Sequence, residues 1–194
     1  MALIVVVAIF SGDDESDTAT SGQNEPAATA PEPEPEPAEP ETAPTPLKQQ
    51  IERAVSDARD NMSKFEWDGK IVTVTYDVSD EGFWDEDSFV GNAARESVDV
   101  LEAGFAFPKV NRVNVIYLTG MTDQYGNTET EPGVEIDWTR KLWANVEDPE
   151  AFKVRLLGDE ALMYKLATWH YIHLGIYKDT DLMEEGVPAI GKGQ

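Results

Sequence analysis

The hydrophobic and polar positions divide the chain into three zones. Ala2–Phe10 is an unbroken apolar run, whereas residues 11–46 carry almost no large apolar side chains. From Leu47 onward, apolar residues recur at the spacings of helices and strands, which predicts one globular domain over residues 47–180. We expect the polar, glycine-containing residues 181–194 to form a flexible carboxyl-terminal tail.

The globular zone predicts elements in the order helix, strand, helix, strand, strand, helix. The first helix begins at Leu47 and the second follows Asp85, a candidate cap, and ends near Gly104. A last helical region begins after Asp148, with Pro149 at its first position, and includes "ATWHYIHLGIY". Alternating apolar residues predict three strands, in "KIVTVTYDV", "VNRVNVIYLTG" and "VEIDWTR".

The connections between these elements predict the topology. A strand–helix–strand unit crosses right-handed and makes its two strands parallel, and the hairpin around "TDQYGNTETEPG" adds an antiparallel third strand. We therefore expect an α+β fold, a small mixed three-stranded sheet with helices packed on one face, preceded by a disordered linker.

Residues 11–46 read as that linker. They contain "APEPEPEPAEPETAPTP" and carry ten acidic residues and no basic ones. Proline removes backbone donors, and so few apolar side chains cannot offset the entropy of ordering. We expect an acidic, Pro/Glu-rich spacer of extended polyproline character.

Residues 1–10 are the candidate anchor. The nine apolar residues Ala2–Phe10 span only about 14 Å as a helix, roughly half of a bilayer core. We interpret the run as a hydrophobic anchor or truncated transmembrane segment, the carboxyl-terminal half of a longer one. This interpretation predicts a single-pass protein of the cell membrane with its carboxyl-terminal domain extracellular, and a contact with the membrane through this segment.

Charge and composition narrow the range of possible ligands and active sites. The net charge is −23, of which residues 47–194 carry −13, so we expect no nucleic-acid ligand because phosphate backbones are repelled. The absence of cysteine excludes disulfides, thiolate metal sites and a cysteine nucleophile. No nucleophile elbow, phosphate loop or dinucleotide motif stands out. We predict no catalytic residue and no cofactor.

A few residues remain as candidates for a site. His170 and His173, three apart on a predicted helix, could share a metal ion with a nearby carboxylate, although packing at the rim of the core is the simpler interpretation. Phe83 and Trp84, in an acidic loop, and Tyr125, in the hairpin turn, are candidate binding residues because exposed aromatic side chains often anchor partners. The other tryptophans are more typical of a core.

The "ALIVVVAIFSGDDE" junction and the "TDQYGN" turn between two strands carry a resemblance. The chain is similar to uncharacterised, N-terminally anchored exported proteins of Gram-positive bacteria, including actinobacteria, which combine an anchor, an acidic spacer and a small α/β domain. The resemblance implies an outward-facing domain and no particular activity.

These observations predict a membrane-tethered, outward-facing binding or accessory domain, whose partner is a protein or a cell-envelope component. The alternative is a metal-dependent or carboxylate-using hydrolase centred on His170 and His173. An immunity-type accessory protein of a mobile element is a third hypothesis.

Overall fold

The computed structural model describes residues 45–81, 85–122 and 125–192. Contacts group Ala43–Gln194 into one unit. The anchor and nearly all of the linker predicted for residues 1–46 lie outside the described residues.

The described residues contain six strands and six α-helices. The strands are β1 (Met62–Trp67), β2 (Ile71–Asp77), β3 (Arg112–Thr122), β4 (Thr128–Thr139), β5 (Trp169–Ile172) and β6 (Ile190–Lys192). The helices are α1 (Leu47–Ala58), α2 (Glu86–Phe105), α3 (Arg140–Trp143), α4 (Pro149–Arg155), α5 (Ala161–Leu166) and α6 (Leu174–Tyr177), and a 3₁₀ turn covers Asp181–Met183.

The six strands form one mixed sheet whose spatial order is the order along the chain. β2 and β3 are parallel and are joined through α2, while every other neighbouring pair is antiparallel. The α+β class, the parallel strand–helix–strand unit and the antiparallel hairpin predicted from the sequence are confirmed.

The predicted three-stranded sheet is wrong, because β1, β5 and β6 also belong to the sheet. β1 alternates Lys64 and Glu66 with Phe65 and Trp67, a short strand signal that the prediction overlooked, and β6 has only three residues. β5 lies in a stretch predicted as helix, but its backbone pairs with β4 from Val134 to Asp137. Tertiary pairing overrides local helix propensity at this point.

One face of the sheet forms the core with the helices. A row of side chains on this face crosses all six strands, and the long helix α2 packs close above it. A Cβ on Gly104 of α2 would lie 2.9 Å from a methyl carbon of Val113, so the small residue permits this approach. The row consists of Phe65, Val74, Val115, Ile136, His170 and Gly191.

The predicted helix starts are confirmed in two places. The Asp85 carboxylate accepts a hydrogen bond of 2.8 Å from the Ser88 amide at the beginning of α2. The Asp148 carboxylate likewise accepts a hydrogen bond of 2.9 Å from the Ala151 amide at the beginning of α4, where Pro149 is the first residue. Each cap satisfies an amide that the helix itself leaves without an acceptor.

The described part of the segment predicted as a tail carries regular structure. Leu182 and Val187 are buried, and β6 pairs with β5 up to Lys192. The packed part of the chain therefore extends to β6.

Nothing in the described ranges is a helix long and apolar enough to cross a membrane. The predicted cell-membrane location, with a single pass and an extracellular domain, is therefore corrected: the structure contains no transmembrane helix where it can be described. The segment on which that prediction rested, residues 1–10, lies outside the described residues.

Candidate functional site

The second face of the sheet is the most distinctive surface of the domain. Its side chains alternate with those of the core face, and most of them are partly exposed. We call this surface the open face and define it by two rows across neighbouring strands. One row is Lys64, Thr75, Ile116, Glu135, Tyr171 and Ile190; the other is Glu66, Thr73, Asn114, Asp137 and Trp169.

An ion pair fixes one part of the open face. Arg112, on β3, places Nε 2.7 Å from Oδ1 and 2.6 Å from Oδ2 of Asp137 on β4, and a second guanidinium nitrogen also contacts Oδ2. Asp137 is only 3% exposed. The hydrogen bond to this carboxylate raises the pKa of Arg112. The planar guanidinium of Arg112, on β3, therefore neutralises the buried carboxylate of Asp137 on β4.

A second carboxylate lies beside this pair. Burial raises the pKa of the Glu135 carboxyl, a hydrogen bond from the Asn114 side chain opposes the shift, and Asp137 adds to it. Within the described ranges, the buried Oδ1 of Asn114 has no hydrogen-bond partner. This part of the open face therefore combines a partly desolvated carboxyl with a buried amide oxygen for which the described residues supply no donor.

Aromatic side chains flank the two carboxylates. Trp169 is paired in register with Asp137, and Tyr171 is paired with Glu135. Burial raises the pKa of the Tyr171 hydroxyl, and the carboxylates of Glu131 and Glu135 raise it further. Ile190, the next residue in the Tyr171 row, is 60% exposed. The open face is therefore apolar toward β5 and β6 and acidic at its centre.

The two histidines do not share a helix face. His170 belongs to β5 and His173 follows that strand, so their odd spacing directs the side chains to opposite sides. The helical arrangement on which the metal hypothesis depended is wrong. In residues 45–81, 85–122 and 125–192, no group of three His, Cys, Asp or Glu residues is placed to hold a metal ion.

Each histidine has a local role instead. His170 is buried against Tyr164, with ring centroids 5.5 Å apart, and its Nε2 lies 2.8 Å from the Pro188 carbonyl oxygen. Burial lowers the pKa of His170. His173 caps α6 by accepting a 3.0 Å hydrogen bond from the Gly175 amide, and its Nε2 lies 3.5 Å from the Glu131 carboxylate.

Of the three predicted aromatic candidates, the structure describes one, and it lies away from the open face. Tyr125 is in the turn between β3 and β4 and is 81% exposed. Phe83 and Trp84 lie outside the described residues, so their prediction stays untested.

Sequence reasoning missed the open face, although a signal for it exists. Asn114, Glu135 and Asp137 alternate with apolar residues inside predicted strands, which already assigns them to one face. Trp169 and Tyr171 show the same alternation, but this segment was predicted as a helix and its alternation was therefore not used. Trp138 and Trp143 belong to the core, as is typical of tryptophan.

In comparisons with known proteins, no family model, no curated protein and no solved structure matches the chain.

Proposed function

We propose that this domain is a non-enzymatic binding module that uses the open face to hold another protein. The observation that carries the proposal is the position of Trp169 and Tyr171, on the fifth of the six strands, beside two carboxylates on a sheet face whose side chains stay partly exposed. The open face of an ordinary antiparallel sheet is polar, whereas this one carries aromatic and aliphatic side chains.

The shape of the open face favours a protein as the partner. Six strands separated by about 4.8 Å make a surface roughly 24 Å wide. Small molecules are held in concave sites that cover most of their surface, while a broad sheet face matches the flat surface of a second protein.

The chemistry of the open face favours a partner with an apolar centre and basic or amide donors. Trp169, Tyr171 and Ile190 offer contact area of the kind that dominates binding energy at interfaces. Glu135, which is partly exposed, offers an acceptor beside it. The charge of −13 on residues 47–194 attracts a basic partner and disfavours pairing with a second copy of this chain.

The test places a photo-activated benzophenone side chain at position 171 of the full chain in the cells that make it. We expect irradiation to link the chain to one partner protein, and Trp169→Ala to reduce the linked product by at least about tenfold, as for a hot-spot residue. The same side chain at position 157 is the matched control, because Leu157 is well exposed and lies outside the open face.

Three outcomes would contradict the proposal. They are equal linking from positions 171 and 157, a product unaffected by Trp169→Ala, and a product with the mass of two copies of this chain. Thermal unfolding of the Trp169→Ala variant shows whether a loss of linking reflects the surface or a loss of fold. Trp169→Phe, which keeps an aromatic ring, is expected to retain most of the product.

A further inference from the structure

Glu135, on β4, is the charged residue of the open face that has no counter-ion among the described side chains. The other two carboxylates in the rows are paired, Asp137 with Arg112 and Glu66 with Lys64, whose Nζ lies 3.0 Å from Oε2. No described arginine, lysine or histidine forms an ion pair with Glu135. The described side chains therefore leave a negative charge unbalanced on the fourth of the six strands.

The surroundings of Glu135 make its unbalanced charge costly. Ile116 of β3 and Tyr171 of β5 are its neighbours in register, and residues directly opposite each other have Cβ atoms about 5 Å apart. All three side chains are partly exposed. Burial raises the pKa of the Glu135 carboxyl, and the hydrogen bond from the Asn114 side chain only opposes that shift. A cation at this carboxylate would meet an acceptor that is partly shielded from water, where opposite charges attract more strongly.

The same domain already holds one guanidinium between a carboxylate and aromatic rings. Arg59 lies over the ring of Tyr76, 4.8 Å from its centroid, and over the ring of Tyr117 at 5.4 Å, while its Nε donates to the Glu96 carboxylate at 2.6 Å. A guanidinium can make both contacts at once because it is planar, donates in its own plane and is more weakly hydrated than an ammonium. A carboxylate beside an aromatic ring therefore favours arginine over lysine as the cation.

We propose that Glu135 is the specificity-determining residue of the open face and receives an arginine side chain of the partner protein. The guanidinium donates to the Glu135 carboxylate and lies against the ring of Tyr171, while Trp169 and Ile190 contact apolar side chains that flank the arginine. This inference rests on the proposed function, because it names the group by which the partner protein is recognised. The charge of −13 on residues 47–194 complements a partner surface that presents such a cation.

Three blocked tripeptides test the inference on the full chain without the partner protein. Each has leucine at both ends, and the central residue is arginine, lysine or citrulline, which has nearly the shape of arginine and no charge. NMR titration of the ¹⁵N-labelled chain measures each affinity through the backbone amide signals of Glu135 and Tyr171. We expect the arginine peptide to shift these signals saturably, the citrulline peptide to bind at least about fivefold more weakly, and the lysine peptide at least about twofold more weakly.

Two glutamate variants assign the preference for arginine to one residue. Glu135→Gln keeps the size of the side chain and removes its charge, and Glu129→Gln removes one charge from an exposed position of the same strand. We expect Glu135→Gln to bring the affinities for the arginine and citrulline peptides to within about twofold of each other, and Glu129→Gln to keep the difference. The proposal is overturned if the wild type binds the arginine peptide no better than either of the other two, if the preference survives Glu135→Gln, or if no peptide binds saturably.

The outcome for Glu135 is separable from the outcome for the proposed function. A photo-linked product that depends on Trp169, together with equal binding of the arginine and citrulline peptides, would leave the open face as a protein-binding surface and refute only the role of Glu135. A preference for arginine that is lost in Glu135→Gln, together with equal linking from positions 171 and 157, would support recognition of a guanidinium by Glu135 and contradict the proposed protein partner.

Discussion

Arg112 and Asp137 form a two-point ion pair across neighbouring strands, with the guanidinium Nε within 2.7 Å of both carboxylate oxygens. The acid is buried, while the arginine side chain is 42% exposed. The pair therefore stabilises the sheet mainly by satisfying Asp137, since an unpaired buried carboxylate is costly.

Removing the arginine tests this role. We expect Arg112→Ala to lower the free energy of unfolding by about 1–3 kcal/mol, because it leaves a buried charge without its donor. Urea denaturation at neutral pH measures the change. Arg53→Ala, which breaks an exposed pair with Asp57 on α1, is the control and should cost less than about 1 kcal/mol. Similar losses of unfolding free energy in Arg112→Ala and Arg53→Ala would contradict the stabilising role of the Arg112–Asp137 pair.

Glu135 gives the stability of the domain a pH dependence of definite sign. Burial raises its pKa above the ordinary 4.5, so the native state binds more protons than the unfolded state above that pH. The free energy of unfolding must then fall as the pH rises through this window. We expect Glu135→Gln to gain stability relative to the wild type as the pH rises above about 4.5, measured by urea denaturation at several pH values.

Glu129→Gln controls for the loss of one negative charge, because Glu129 is exposed on the same strand. A Glu135→Gln variant whose stability relative to the wild type does not depend on pH would show that the carboxyl is not desolvated.

His170 has the opposite effect on stability. Burial holds its pKa below the ordinary 6.5, so the unfolded state binds more protons than the native state between the two values. Stability is therefore lost as the pH falls through this window. Because the chain contains only two histidines, a ¹H NMR titration can follow each one, and His173→Gln assigns the signals. We expect the His170 midpoint below 6.5; a midpoint above it would refute the burial argument.

Gly191 tests the packing that holds β6 against β5. A Cβ at this position would lie 2.1 Å from Cε1 of His170, far inside contact distance. We expect Gly191→Ala to lower the free energy of unfolding by about 1–3 kcal/mol, as for an overpacked core. Gly158→Ala is the control, because a Cβ there meets nothing within 4 Å.

A double variant distinguishes steric conflict from lost backbone freedom at Gly191. His170→Ala removes the ring, so Gly191→Ala should cost less in that background than in the wild type. Equal costs in both backgrounds would attribute the effect to the backbone of β6.

The parts of the fold that could be predicted depend on local patterns. The wide apolar stripe and the cap Asp85 predict α2. The alternation in β2 and β3, with this helix between them, predicts that the two strands are parallel. β5 could not be predicted in this way, because its apolar spacing also suits a helix and only pairing with β4 decides between them. This ambiguity is one reason why three strands were predicted where the sheet has six.

The candidate site was harder to predict than the fold. Alternation groups Asn114 and Glu135 on one face of the hairpin, but it does not tell which face the helices cover. Trp169 and Tyr171 join that face only once β5 is a strand.

The agreement between strand order and chain order has a consequence for synthesis on the ribosome. Each strand that emerges pairs with the one made just before it, so the growing sheet always ends in its newest strand. After β4 emerges, its outer edge lacks a partner until Trp169–Ile172, made about thirty residues later, pairs with Val134–Asp137. Unpaired edges invite association between chains. β5 covers the apolar part of this edge from Val134 onward, whereas the acidic, threonine-rich start of β4, Thr128–Glu131, does not pair with β5 and stays hydrated.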